Sequence, residues 1–292
     1  MDITFIQTAD PHRYARMLAA TSRSVTAYCQ RHDFRYEAYV GLKRGYFGWH
    51  ASFNRIYILR ELIDRGYRGW AVYMDADAFV ADFDFDLRGF LADKDRYAGI
   101  FTPSGVTGEY WDINNGIFLI NLASPVAHKI VSDWYDLFQI VTDEQLRNAP
   151  DWTNDFLDDQ GILQKIFREW PAVKDDLFYV SHRIINSIEA SFLKQFMRGH
   201  EPDLGKRIRS IETMIQELLS AALGLHQPPA PFSKEESAEI VVGAYQGVLN
   251  RAPDPLGIET YVPHVAAQGR ADGVAFVVES LLASDEFKAR RP

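Results

Sequence analysis

The sequence predicts an α/β protein, a mostly parallel sheet flanked by helices, followed by a small all-α segment. Three observations carry this reading. Strand-like and helix-period patterns alternate through the first 75 residues. The run Trp70-Ala-Val-Tyr-Met74 is dominated by aromatic and β-branched residues, reads as a buried strand, and ends in Asp75-Ala76-Asp77. Beyond Gln227-Pro-Pro-Ala-Pro231, a stiff stretch that cannot continue a helix, the patterns are helical only. The boundary is placed there, giving domains at 1–227 and 228–292.

The elements follow in order. Ile3 to Gln7 is an apolar strand, and Asp10-Pro11 suits an N-cap with proline as first helical residue. Tyr14, Met17, Leu18, Thr21, Val25 and Tyr28 share one face of the first helix. Phe34 to Val40 is a second strand, and Phe53, Ile56, Leu59, Leu62 and Ile63 mark a second helix that stops before Gly66. With Trp70 to Met74 this β-α-β-α-β order implies parallel pairing, which places ligands at the carboxyl ends of the strands. Further strands are expected at 97–102, 116–122 and 177–180, and helices at 125–140, 156–167 and 204–223. The last of these carries Ile208, Ile211, Ile215, Leu218, Leu219 and Leu223 on one face, to pack on the sheet or on the following domain. Helical segments at 236–249, 255–267 and 273–282 complete the chain.

Composition narrows the function. With 292 residues, 47% of them hydrophobic, the chain can build a sizeable core. A net charge of −9 argues against a nucleic-acid binder. The single Cys29 excludes an intramolecular disulfide and a multi-cysteine zinc site, which suits a reducing compartment. The start Met1-Asp-Ile-Thr-Phe-Ile6 lacks the basic and long apolar regions of a signal peptide, and no run is long enough to span a bilayer. A soluble, cytoplasmic protein is expected. Lys206, Arg207 and Arg209 form only a small basic cluster for peripheral membrane contact.

Four stretches carry candidate chemistry. On extended backbone Asp75 and Asp77 point the same way, and two carboxylates forced together are costly unless a cation lies between them. A hard ion such as Mn²⁺ or Mg²⁺, holding a substrate diphosphate, fits that need, and a solvated acidic turn is the competing reading. Asn114-Asn115-Gly116 precedes an apolar strand, where amides suit sugar hydroxyls and the glycine admits a ligand, although Asn-Gly is also an ordinary turn. Asn154 to Gly161 opens a helix with Asp155, Asp158 and Asp159, which serve as caps or as charges beside an anomeric carbon. His200 is either a surface residue or a third metal ligand, with Lys206 or Arg198 to neutralise diphosphate.

Taken together, Asp75-Ala-Asp77 after a buried strand, the Asn114-Asn115-Gly116 strand, the Asp158-Asp159-Gln160 helix start and Ile185-Asn186-Ser187 occur in the order seen in GT-A glycosyltransferases. Residues 1 to about 225 most resemble the galactosyl/mannosyltransferases of the yeast α-mannan and plant xyloglucan xylosyltransferase type, and more distantly the glycogenin-like retaining enzymes. The resemblance implies a GT-A fold and a hexosyltransferase that uses a nucleotide-diphosphate sugar, a UDP-sugar favoured, with retention at the anomeric carbon. It implies Mn²⁺ or Mg²⁺ on Asp75 and Asp77, with donor-sugar contacts from Asn114, Asn115, Gly116 and Asp158, and Asp159 and Gln160 beside the reacting centre. Thr8, Ala9 and Arg55 would lie near the nucleotide, and Lys206 near its phosphates. One departure stands out: such relatives carry their metal-binding histidine a few residues before a glycine, near Phe196 here, whereas His200 follows Gly199. His200 is nevertheless the expected third ligand. The acceptor would be a glycan or a lipid-linked glycan, as in polysaccharide biosynthesis.

The tail resembles a small bacterial domain of unknown function with a Leu-Gly-Arg-x-Pro-Asp core and a Ser-x-Glu-Phe ending, through Val248-Leu-Asn-Arg251-Ala-Pro-Asp254, Gly257 and Ser284-Asp-Glu-Phe287. Asn250 stands where glycine is usual, and Arg251 and Asp254 are expected to brace helix ends. Two rival readings remain: a degenerate transferase fold acting in carbohydrate binding or assembly, and a nucleotide-diphosphate hydrolase.

Overall fold

The computed structural model describes residues 1–151, 158–222, 233–268 and 270–289. The chain forms two compact units, Met1–Ala222 and Leu223–Pro292. The expected linker Gln227–Pro231 lies outside the described residues.

In the first unit, β1 (Ile3–Ala9), α1 (Ala15–His32), β2 (Arg35–Val40), α2 (Asn54–Asp64) and β3 (Trp70–Met74) follow the expected alternation. After them come β4 (Ala78–Val80), α3 (Leu87–Leu91), β5 (Gly99–Pro103), β6 (Ile113–Asn121), α4 (Pro125–Gln139) and α5 (Asp143–Arg147). The unit ends with α6 (Asp159–Glu169), β7 (Leu177–Tyr179), β8 (Ile185–Ser187), β9 (Leu193–Gln195) and α7 (Leu204–Ala222).

Six strands make the central sheet in the order β2-β1-β3-β6-β5-β7. Three of its five pairings are parallel, and β6 runs antiparallel to both of its neighbours. Every residue of β1 and β3 is buried, as strands covered on both faces require. Alternation along them splits the core in two. Ile6, Ala71 and Tyr73 face Ile56, Leu59, Trp134, Phe138 and Ile162 of α2, α4 and α6. Phe5, Val72 and Met74 face Val25 and Tyr28 of α1. A second sheet, β4-β9-β8, holds the chain where it leaves β3. Helix α7 lays Ile208, Ile211 and Ile215 against Met17 and Ala20 of α1 and Phe79 of β4, so its apolar face meets a helix and the small second sheet.

Two local expectations are corrected. Asp10 does cap, its carboxylate accepting the N–H groups of His12, Arg13 and Tyr14 at 2.7–3.0 Å, but residues 11–14 form a turn and α1 begins only at Ala15. Residues 75–77 are likewise a turn and not extended strand, closed by Ala78 N–H on the Asp75 carbonyl at 3.0 Å. The helix expected from residue 156 is seen from Asp159, and 152–157 lie outside the described residues.

In the second unit, α8 (Lys234–Leu249), α9 (Pro255–Gln268), α10 (Arg270–Ala283) and α11 (Asp285–Ala289) enclose Val241, Tyr245, Leu249, Val262, Val265, Val277 and Leu281. Asn250 ends α8 at φ 47°, a left-handed position where glycine or asparagine is favoured. Arg251 meets both oxygens of Glu286 at 2.8 and 2.6 Å, and Asp254 caps α9 through Gly257 N–H at 2.8 Å.

Candidate functional site

The turn at 75–78 is fastened on every side. Buried Gln7 of β1 donates to the carbonyls of Asp75 (3.1 Å) and Ala78 (2.9 Å), and Thr21 of α1 donates to that of Ala76 (3.0 Å). Asp75 N–H reaches the Gly116 carbonyl at 2.8 Å, and Phe196 N–H the Asp77 carbonyl at 3.0 Å. The backbone is therefore preset, and the two side chains converge on one partner. The Gln195 amide nitrogen donates to Asp75 Oδ2 at 3.2 Å and to Asp77 Oδ1 at 3.0 Å. Gln195 Oε1 is buried with no hydrogen-bond partner. A Cβ on Gly116 would lie 2.5 Å from that oxygen and 2.6 Å from the nitrogen, so only glycine admits the amide there.

Arg55 ties this pair to the next group. Its guanidinium, 3% exposed, meets Asp75 Oδ1 at 2.6 Å, Asp159 Oδ2 at 3.2 Å and the Asn115 carbonyl at 2.5 Å, and lies 4.4 Å above the Tyr73 ring. Thr8 meets the Tyr73 hydroxyl at 3.0 Å, and the Ala9 carbonyl holds Gly41 N–H at 2.9 Å. Asp159, buried on the first turn of α6, also accepts from Asn115 Nδ2 at 2.7 Å, while its carbonyl takes the Trp134 indole N–H at 3.0 Å. Gln160 Oε1 accepts Asn115 N–H at 3.0 Å, and Asp158 caps α6 through Gly161 N–H at 2.6 Å. Asn114 takes Gly116 N–H at 2.9 Å, and beneath it Asn186, at φ 71°, donates to the Asn114 carbonyl at 3.2 Å.

The electrostatics are those of a site short of positive charge. Burial, with Asp77 and Asp159 nearby, pushes Asp75 up to about 7 in spite of Arg55. Burial alone raises Asp77, against the pull of Gln195, of Arg207, whose Nη1 stands 3.9 Å from it, and of Arg55. Asp158 is pushed up to about 6 by burial and by Asp159. Each is a carboxylate that gains from a proton or a cation.

Thus the structure brings together Thr8, Arg55, Asp75, Asp77, Asn114, Asn115, Gly116, Asp158, Asp159 and Gln160, with Ala9 at the neighbouring strand end. It does not bring His200 or Lys206 to them. β9 stops at Gln195, and a turn carries the exposed His200 outward, its ring 5.9 Å from that of Phe196. Among the described residues no three His, Cys, Asp or Glu side chains are grouped to hold a metal ion. Lys206 is exposed, and its neighbour Arg207 is the one buried toward Asp77. Sequence reasoning missed Gln7, Gln195 and Arg207. The last two had a signal: Gln195 shares the inward face of β9 with Leu193, and Arg207 the stripe of Ile211 and Ile215.

The fold is that of solved glycosyltransferases. A glycosyltransferase involved in the glycosylation of the major capsid of PBCV-1 has a TM-score of 0.51 at 18% identity, over 73% of this chain and 100% of that one. The apo form of glycosyltransferase GlyE of Streptococcus pneumoniae TIGR4 gives 0.43 and 14%, over 76% and 64%. Galactosyltransferase LgtC, in complex with donor and acceptor sugar analogs, gives 0.41 and 15%, over 74% and 96%. No protein-family model and no curated protein matches the chain.

Proposed function

We propose that the first unit is a metal-dependent, retaining glycosyltransferase that moves a hexose from a nucleotide-diphosphate sugar, a UDP-sugar favoured, to a glycan or other hydroxyl acceptor. One observation supports this: on a glycosyltransferase fold, buried Arg55 joins the Asp75–Asp77 pair, which we assign to the diphosphate, to the Asn115–Asp159 pair, which we assign to the sugar. The residues fit a hard divalent ion, because Asp75 and Asp77 offer carboxylate oxygens and the Gln195 amide that bridges them through its nitrogen carries an unpartnered Oε1. When bound, such an ion offsets the negative charge that gathers on the departing nucleoside diphosphate.

The chain's own residues divide the remaining work. Asp159 Oδ2 is held by Arg55 and Asn115, which makes it a positioning residue that fixes the donor pocket, while its buried Oδ1 has no hydrogen-bond partner. Gln160, oriented by Asn115 N–H, and Asp158 at the head of α6 are the oxygen-bearing groups we assign to the electron-poor sugar carbon. Lipid-linked or free glycans are the acceptors in view, in a cytoplasmic setting; among the described residues no helix is long and apolar enough to cross a membrane.

Calorimetry of UDP and GDP binding, each with and without Mn²⁺, tests the donor class. Tight, Mn²⁺-dependent binding of one nucleotide is expected, and donor consumption should speed up when acceptor is supplied, which a hydrolase would not show. Alanine at Asp75 or Asp77 should abolish Mn²⁺-dependent transfer. Full turnover by either variant would remove that residue from the site.

A further inference from the structure

We propose that Gln195, and not a histidine, completes the cation site, and that its amide works as a two-position latch selecting an all-oxygen cation shell. This rests on the metal-dependent transfer reading.

The two carboxylates are set by the fastened turn at 75–78, so they stay close whether or not a cation is present. Gln195 relieves their repulsion with a single amide nitrogen that serves both, at 3.2 and 3.0 Å. The same amide keeps its oxygen buried and without a donor. A buried acceptor left unused is uncommon and calls for an explanation. The terminal torsion of glutamine is broad and nearly two-fold, so a half-turn exchanges Oε1 and Nε2 without moving the rest of the side chain. In one position the nitrogen bridges the acids; in the other an amide oxygen joins them as a neutral third donor. The bare Cα of Gly116 leaves room for both positions, since both amide atoms already occupy the space a Cβ would fill.

Two consequences follow from this chemistry. A shell of two carboxylates and an amide oxygen favours Mg²⁺ or Mn²⁺, whereas an imidazole in the same place would favour softer ions. The nitrogen position competes with the cation, so binding is coupled to arrival of a diphosphate that adds further oxygens.

The test uses the full-length chain, Mn²⁺ and UDP, with Mn²⁺ uptake and electron spin-echo spectra read for wild type, Gln195→Ala and Gln195→His. Wild-type Mn²⁺ should show no coupling to a directly bound imidazole nitrogen, and Gln195→His should introduce one. Gln195→Ala should weaken Mn²⁺ binding about tenfold or more, the loss expected when a metal site loses a supporting group. An imidazole coupling in wild type would overturn the proposal, because a histidine would then be the ligand. So would Gln195→Ala binding Mn²⁺ as tightly as wild type or better, since the amide would then only compete. A wild type that takes up no Mn²⁺ but binds UDP and transfers sugar overturns the latch and leaves transfer standing. Mn²⁺ behaviour as expected without any transfer supports the latch and removes the transferase reading alone.

Discussion

Replacing Arg55 with methionine is the most informative perturbation of the first unit. Methionine keeps the volume and the contact with the Tyr73 ring but removes a charge that Asp75 and Asp159 share at 2.6 and 3.2 Å. Asp159 is 1% exposed, so it cannot turn to water for compensation. Removing one partner of a buried ion pair costs about 3–5 kcal/mol. For a unit of this size that corresponds to a fall in Tm of roughly 6–20 °C. All six tryptophans lie between residues 49 and 170, so tryptophan fluorescence during urea unfolding reports on this unit alone.

Two further readouts separate a charge effect from simple loss of packing. Arg55 is the larger of two groups that hold Asp75 down, Gln195 being the other, so without it Asp75 rises above about 7. A carboxyl raised in the native state binds more protons than the unfolded chain does, so stability falls as pH climbs from the unfolded value, near 4, to the native one. For wild type that fall ends near pH 7; for the variant it continues above 7, and the difference between them widens from pH 7 to 8.5. In addition, Arg55→Met combined with Asp159→Asn should cost less than the sum of the single changes, by about 1–3 kcal/mol. A loss under 1 kcal/mol, one that does not change with pH, or strict additivity would each refute the role given to Arg55.

Two other outcomes are expected. Asp158→Asn keeps a good N-cap for Gly161 and removes a carboxylate pushed up to about 6, so the variant should gain on the order of 2 kcal/mol at pH 7.5 and nothing at pH 4, measured by urea titration. Gly116→Ala should displace the Gln195 amide, costing about 1–3 kcal/mol of stability and weakening Mn²⁺–UDP binding in calorimetry; unchanged binding would show that the amide's seat against Gly116 is dispensable.

Much of the fold was legible because its signals are local. Ile3–Ala9, Trp70–Met74 and the stripe of Val126, Ile130, Trp134 and Phe138 are periodic within one element, and the alternation of strands and helices sets the sheet class. The turn at 75–77 was one of two readings the sequence left open, because nothing in Asp-Ala-Asp decides between strand and turn. It is made by Gln7 and Thr21, 68 and 55 positions away from the carbonyls they hold. Gln195 was missed for a similar reason. A histidine draws attention as a metal ligand anywhere, whereas an amide becomes one only when the fold places it against two carboxylates. Lys206 and Arg207 differ by one position on a helix, about 100° of rotation, and that alone decides which is buried beside Asp77.

The strand β6 explains why the site forms where it does. In an all-parallel sheet the beginning of each strand lies at the edge opposite to the ends of its neighbours, so Asn114-Asn115-Gly116 would stand far from Asp75. β6 runs antiparallel to β3, with Met74 opposite Ile117, and its first residues therefore meet the end of β3. That reversal puts the Gly116 carbonyl on Asp75 N–H and the Asn115 carbonyl on Arg55. It also presents the Asn115 amide to Asp159 and Gln160 at the start of α6. The chain next leaves the sheet at the 75–78 turn to pair with β9, which delivers Gln195 from the other side. Arg55, the 75–78 turn, Asn114–Gly116, the start of α6 and Gln195 thus converge on one sheet edge, the first four because one strand runs against the others and the last through the β4–β9 pairing. A site built this way depends on register: shifting β6 by one residue against β3 would turn Asn115 away from Asp159 and bring a side chain, in place of Gly116, against Gln195.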